Sequence, residues 1–252
     1  MPQGTCHLCG LNGSIRNSHV WPAWAYRKYA AEVDRGGRFV HLGHSKLDNH
    51  PERYFWFCPA CDNETLASCE RYASELCDSI SKSPKAAVDY DERLLKFAVS
   101  ISWRTAKAWK ERNNGKAFTE LRPACRQWKS YLLRNKHRVE PYSQHIFIVH
   151  DRVMERHNAL GGNVFLNENL VFTQIGPLWI LGLLSREGLG LNDIKVWDKS
   201  RLRPDGGTIQ PIQEWRVGKT ITLQLSKFLS QFEIAITSRA REVAKKLGDK
   251  LS

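Results

Sequence analysis

Two short stretches, Cys6-His7-Leu8-Cys9 and Cys58-Pro59-Ala60-Cys61, decide how the N-terminal third of this 252-residue chain folds. Each is a Cys-x-x-Cys pair, and 48 residues lie between the two pairs. A Cys-x-x-Cys turn presents two sulfurs to one metal ion, so two such turns can complete a tetrahedral zinc site. The sequence therefore predicts a structural Zn²⁺ whose ligands are Cys6, Cys9, Cys58 and Cys61.

The overall composition is that of a folded, basic protein. Hydrophobic residues make up 42% of the chain and charged residues 25%, which supplies enough apolar material for a core. The longest apolar run, residues 177–184, is too short to cross a bilayer, and the first residues do not resemble a signal peptide. Seven cysteines is an odd number, which argues against a complete disulfide framework. We therefore expect a cytoplasmic protein with no membrane partner.

The net charge of +12 is distributed unevenly along the chain. Residues 1–84 contain nine Lys/Arg and nine Asp/Glu, whereas residues 85–140 contain fourteen Lys/Arg against six Asp/Glu. Residues 141–252 contain fifteen against eleven. Positive charge concentrated in one stretch is typical of a surface that faces a polyanion, most often nucleic acid. A solubilising surface is the alternative interpretation.

Composition and periodicity divide the chain into three predicted segments of an α+β fold. Residues 1–83 would form a zinc-stapled module, and residues 84–140 a basic helical segment. Residues 141–252 would form an α+β C-terminal region, mainly an antiparallel sheet followed by a final helix. Pro84 and the change in composition around it mark the first boundary.

Apolar spacing places the main elements within these segments. Helices are predicted at 62–78, 89–112 and 119–134, and the final helix at about 227–247. The run 178–184 is apolar on both faces, as strands in the middle of a sheet are.

The two helices of the basic segment carry side chains that could hold a phosphodiester backbone. In the helix at 89–112, four basic residues gather on the side opposite the apolar face. The predicted nucleic-acid-binding residues of both helices are Arg93, Lys96, Arg104, Lys107, Arg122, Arg126 and Lys129. Trp103, Trp109 and Trp128 could stack on bases, although tryptophans on amphipathic helices more commonly belong to the core.

The order of motifs in the N-terminal third resembles the HNH endonucleases, or ββα-metal nucleases, that carry paired zinc knuckles. The matching segments are Cys6–Pro22 and Phe57–Tyr72, less than a third of the chain. They contain a Cys-x-x-Cys pair, a strand that ends in a polar residue and His, and a second pair that runs into a helix with an Asn and a late acidic residue. The resemblance implies a ββα module that hydrolyses phosphodiester bonds, in DNA rather than RNA, and by analogy a role in microbial defence.

The resemblance also implies roles for single residues. His19 matches the general base that takes a proton from the attacking water, and Glu70 matches a late ligand of a catalytic Mg²⁺ or Mn²⁺. Asp62 stands where many members have the Asn that orients the histidine, so Asn63 could serve in that role and Asp62 as a metal ligand. Ser18 stands where the family has Asp, Glu or His. A neutral hydroxyl binds a hard divalent cation more weakly than a carboxylate does, so Ser18 departs from the pattern.

Two other functions stay open on the sequence. A catalytically inactive protein could keep the zinc scaffold and the basic helices and bind nucleic acid without cleaving it, which Ser18 favours. The chain could instead be an interaction subunit of a larger complex or a homo-oligomer, with residues 178–184 and the final helix making the contacts. The basic segment favours either nucleic-acid function over this third one.

Overall fold

The computed structural model describes residues 1–30, 39–40, 47–48, 51–84, 86–114, 118–134, 138–148, 160–166, 169–185 and 200–211. Over these residues the protein is a mixture of helices and antiparallel sheets with a cysteine cluster near the N-terminus, which confirms the predicted α+β class. The final helix predicted at about 227–247 lies outside the described residues.

Short ribbons and helices make up the N-terminal third. Its antiparallel ribbons pair β1 (Gln3–Thr5) with β2 (Asn12–Ser14), β3 (Arg16–His19) with β6 (Arg53–Phe57), and β4 (Phe39–Val40) with β5 (Leu47–Asp48). Its helical pieces are α1 (Ala23–Ala25), a π-helical turn (Tyr26–Ala30), a second π-helical turn (Cys61–Thr65) and α2 (Ala67–Lys82). The pairing of β3 with β6, followed by α2, gives a strand–strand–helix order.

The first helix of the central segment starts later than the sequence predicts. Val88–Tyr90 forms a strand, β7, which pairs with β12 (Gly207–Ile209). The side chain of Asp91 then accepts a hydrogen bond of 2.8 Å from the backbone N–H of Arg93 and caps helix α3 (Glu92–Arg112). Helix α4 (Phe118–Leu132) follows. The expected helix at 89–112 therefore begins at Glu92, because the strand pairing and the cap take the first residues.

The C-terminal part of the described chain is a four-stranded antiparallel sheet with the strand order β8-β11-β10-β9. The strands are β8 (Gln144–Ile148), β9 (Leu160–Phe165), β10 (Leu170–Ile175) and β11 (Leu178–Leu183). β11 is an inner strand and is buried along its whole length. The prediction of a central strand at 178–184 is thus confirmed, and this strand offers no open face to a partner.

Helix α3 lies at the centre of the core, packed against α2, α4 and the four-stranded sheet. Thirteen of its 21 residues are buried. The sequence predicts a basic, solvent-facing side for this helix, and the prediction is wrong for Arg104, which is only 3% exposed. The helix can be buried on the side of Arg104 because the guanidinium finds partners there, a 2.7 Å hydrogen bond to the carboxylate of Glu70 and a 2.9 Å hydrogen bond to the hydroxyl of Ser100.

One hydrophobic cluster runs from the N-terminal ribbons through the helices to the sheet. Trp103 and Trp128 belong to it, as the sequence favours for tryptophans on amphipathic helices, and Trp109 packs half-buried against it. The division into three domains stays a prediction. Among the helices that the structure describes, none has the length and apolar character that crossing a bilayer would require.

Candidate metal centre and basic surface

The four predicted zinc ligands come together in space. The sulfurs of Cys6, Cys9, Cys58 and Cys61 all lie within 4.8 Å of one another, and the Cys9 and Cys58 sulfurs are 3.8 Å apart. Zn–S bonds of about 2.3 Å in a tetrahedron would separate the sulfurs by about 3.8 Å. All seven cysteines are free thiols, so no disulfide competes for these sulfurs. The cluster can hold one metal ion.

Backbone hydrogen bonds give each Cys-x-x-Cys turn its shape. In the first turn the N–H of Gly10 donates to the carbonyl of Cys6 over 2.9 Å, and Gly10 has a φ of +83°, which glycine adopts readily. The N–H of His7 donates to the carbonyl of Trp56 over 2.7 Å, which joins the first turn to β6. In the second turn the N–H of Asp62 donates to the carbonyl of Cys58 over 3.0 Å. β6 therefore delivers the second pair beside the first.

Even without a metal ion, the surroundings of the cluster favour the thiolate form of one cysteine, Cys6. Burial alone would raise the pKa of the Cys6 thiol, but backbone hydrogen bonds, including a 3.4 Å bond from the N–H of Cys58, outweigh burial and lower the pKa to about 7. Burial raises the pKa of Cys9 and that of Cys61. A bound cation would reverse the effect of burial, since a coordinating thiol is deprotonated. The chemistry of the donor set thus fits a metal ion.

The residues implied to hold a catalytic ion do not assemble as ligands. Ser18 is 2% exposed, and its hydroxyl donates to the carbonyl of Arg16 over 3.4 Å. The carboxylate of Glu70 accepts a 2.7 Å hydrogen bond from the guanidinium of Arg104. The same guanidinium donates to the carbonyl of His19 over 3.4 Å. Arg104 therefore supplies the positive charge that neutralises Glu70.

The other implied site residues also have structural partners or lie apart. The side-chain oxygen of Asn63 accepts a 2.7 Å hydrogen bond from Arg16, and Asp62 lies half-buried in the π-helical turn. The four cysteines are the only group of three or more Cys, His, Asp or Glu side chains that could share an ion among the described residues. His19, Asp62 and Glu70 do not form a second such group.

His19 lies half-buried at the end of β3, with its ring 5.6 Å from the ring of Tyr26. Burial, together with the positive charges of Arg53, Arg104 and Arg27, lowers the pKa of His19 to about 4. The imidazole is therefore neutral at pH 7. Arg53 and Arg27 could not be assigned to this site from the sequence, because their nearness to His19 is a tertiary property; the pairing of β3 with β6, for example, places Arg53 opposite His19.

Two of the predicted nucleic-acid-binding residues lie beside the metal centre. Lys107 and Lys129, together with Lys110, act electrostatically on His7: burial and these three charges lower the pKa of His7 to about 4. All three lysines are half-buried, and we call them the lysine cluster. Lys110 was not among the residues predicted from the sequence, although its position one helical turn after Lys107 is a signal that points to it.

The remaining predicted basic residues have varied surroundings. Arg122 and Arg126 are exposed on α4, and Lys96 is half-buried on α3. Arg93 is held by Asp91 over 2.7 Å and lies over the ring of Tyr72, 4.3 Å from its centroid. Arg104 is buried, and none of these four residues is described beside the cysteines. Of the predicted nucleic-acid-binding residues, those of the lysine cluster are the ones placed next to the cysteine site.

Searches against protein-family models, curated proteins and solved structures each return no significant match to this chain. The resemblance to the HNH endonucleases therefore rests on the residues and their arrangement alone.

Proposed function

We propose that this protein binds nucleic acid, DNA in preference to RNA, through a zinc-stapled HNH-like module in the cytoplasm, and that it does so without cleaving the strand. The observation that carries the proposal is the lysine cluster beside the first Cys-x-x-Cys turn. Burial and the charge of Lys110 lower the pKa of Lys107, and the negative charge of Glu111 partly offsets this lowering. Like charges repel one another, and a phosphodiester backbone beside these lysines would relieve the repulsion.

Zinc is the metal that best suits the cysteine cluster. Four thiolates in a tetrahedral arrangement favour Zn²⁺ over harder cations such as Mg²⁺ or Ca²⁺. A zinc ion with four cysteine ligands has no open position for water, so its role would be to hold the two turns together. The same ion would fix the distance between His7 and the lysine cluster, and with it the shape of the proposed binding surface.

The ion pair of Glu70 with Arg104 favours binding without cleavage. A catalytic Mg²⁺ or Mn²⁺ would need the Glu70 carboxylate, whose charge the guanidinium of Arg104 already neutralises over 2.7 Å. The buried hydroxyl of Ser18 offers no replacement, because it is bonded to the carbonyl of Arg16. Two of the residues implied as ligands of a divalent ion near His19 are therefore already engaged, Glu70 with Arg104 and Ser18 with the carbonyl of Arg16.

The binding proposal is tested by charge reversal at two members of the lysine cluster. We expect Lys110→Glu/Lys129→Glu to bind labelled duplex DNA at least tenfold more weakly and to lower the slope of log affinity against log salt by about 2, since each lost phosphate contact removes about 0.9. Fluorescence anisotropy at several salt concentrations measures both quantities. Arg71→Glu/Lys82→Glu, two exposed residues of α2, is the control with the same change of net charge. Absence of salt-dependent binding to duplex DNA, single-stranded DNA and RNA would contradict the proposal.

A metal-dependent endonuclease is the second candidate, and one observation favours it. The neutral imidazole of His19, surrounded by Arg53, Arg104 and Arg27, is a proton acceptor in a place that attracts phosphate.

Incubation of the wild-type protein and of His19→Ala with supercoiled plasmid, single-stranded DNA and RNA, in Mg²⁺, Mn²⁺ or EDTA, separates the two candidates. We expect intact substrates throughout. Cleavage that needs both the added ion and His19 would establish the endonuclease instead.

A further inference from the structure

The open face of the β3–β6 ribbon presents an unusual set of side chains. The register pairs Asn17 with Phe55 and His19 with Arg53, so these four residues share one face. Asn17 and Arg53 are exposed, His19 is half-buried, and Phe55 is 50% exposed. One aromatic ring thus stands in solvent between an amide and a guanidinium.

The opposite face of the ribbon attaches it to the core, whereas Phe55 on the open face stays half in solvent. Ser18 is buried there, and the ring of Tyr54 stacks on the ring of Trp56 at 4.6 Å with an angle of 9° between the planes. Trp56 is 2% exposed. Because the buried face holds the ribbon in place, the open face is presented on a fixed support.

The charge of the open face suits an anionic ligand. β3 and β6 contain no acidic residue, and Glu52, which precedes β6, points to the other side, where it accepts a 2.7 Å hydrogen bond from the hydroxyl of Tyr54. A second contact, 3.8 Å, joins Glu52 to Arg112. Arg27 adds positive charge beside Arg53, since both act on His19. No carboxylate on these two strands opposes a phosphate at this face.

We propose that this face is a platform for an unpaired nucleobase, on which Phe55 stacks against the base while Arg53 holds a neighbouring phosphate and Asn17 meets the base edge. The proposal rests on the proposed function and narrows it to single-stranded segments. An aromatic side chain stacks on the flat face of a base, and duplex DNA hides that face between neighbouring base pairs. A single exposed aromatic flanked by polar groups is also too small a patch to suit an apolar protein partner.

The test compares single-stranded and duplex DNA of the same sequence, with 2-aminopurine as a fluorescent base in the single strand. We expect Phe55→Ala to weaken single-strand binding by about 5- to 150-fold, the range of base–aromatic stacking, and to abolish quenching of 2-aminopurine. Duplex binding should change by less than about twofold. Phe55→Trp keeps an aromatic face and should retain both signals. Leu11→Ala is the matched control, because Leu11 is also an exposed apolar side chain, 69% exposed.

The outcomes separate this inference from the function on which it rests. If the wild-type protein binds no nucleic acid, the proposed function and the platform are both overturned. If it binds but Phe55→Ala leaves single-strand affinity and quenching unchanged, the platform alone is overturned. A Phe55→Ala variant that changes only the sedimentation coefficient would identify the face as a contact between two copies of the chain, which also overturns it. Single-stranded RNA bound with the same dependence on Phe55 supports the platform and shows that it does not read the sugar.

Discussion

At the scale of single residues, Arg104 connects three parts of the molecule. Its guanidinium bonds to Glu70 on α2, to the carbonyl of His19 at the end of β3, and to the hydroxyl of Ser100 on its own helix. Its side chain is 3% exposed and that of Glu70 is 23% exposed, so water screens the pair only partly. Removing one member of such a pair leaves the other charge partly buried and unpaired, which costs more than the pair contributes.

We expect Arg104→Ala to lower the free energy of unfolding by about 3 kcal/mol, the low end for a buried ion pair because Glu70 keeps some contact with solvent. Arg104→Ala/Glu70→Gln should lose less than the sum of the two single variants, since no unpaired charge remains. Arg104→Lys keeps the charge but loses the planar fork that reaches these three acceptors at once, and its stability should fall between that of wild type and that of Arg104→Ala. Urea denaturation of the wild type and of the four variants, Glu70→Gln included, measures these differences.

Arg93→Ala is the control on the same helix. Arg93 pairs with Asp91, but the two side chains are 55% and 48% exposed, so its loss should cost less than about 1 kcal/mol. The account of Arg104 fails if Arg104→Ala is no less stable than Arg93→Ala, or if the double variant shows no coupling.

At the scale of elements, α3 shows what periodicity can predict and what it cannot. The spacing of apolar residues correctly predicts a helix, because one side of it must face a core. The opposite side looked solvent-exposed because it carries basic residues. The neighbour of Arg104 on that side lies far away in sequence, since the guanidinium bonds to Glu70 on α2. A pattern within one helix contains no information about partners contributed by other elements.

The same limit separates the two parts of the candidate site. The cysteine cluster could be predicted because each Cys-x-x-Cys turn is a local structure with a known chemical use. The open face with Phe55 and Arg53 could not, because it depends on which residue of β6 pairs with which residue of β3, and a shift by one position would bury Phe55. The lysine cluster likewise combines α3 and α4, whose relative placement is a tertiary property.

At the scale of the whole molecule, the cysteine cluster adds a link between two turns that the pairing of β3 with β6 and the His7–Trp56 hydrogen bond already bring together. The first turn belongs to the β1–β2 ribbon, and the second leads into α2, which packs on α3. The sheet of β8 to β11 packs on α3 from another side and does not include the cysteines. Metal binding is therefore expected to stabilise the N-terminal third much more than the sheet.

We expect the purified protein to contain about one zinc per chain, and Cys58→Ala to lose it. Without zinc the two turns would be held only by the contacts of the β3–β6 ribbon. The thermal transition of the N-terminal third should then fall, and DNA affinity with it, since His7 would be held less firmly beside the lysine cluster. Zinc should also leave as the pH falls, because protons compete for the thiolates. Elemental analysis, calorimetry and anisotropy measure the three effects.

Cys125→Ala is the control, because it removes a buried cysteine of α4 that lies outside the cluster. This variant should keep its zinc. If Cys125→Ala lost zinc as completely as Cys58→Ala, the assignment of the four ligands would be contradicted.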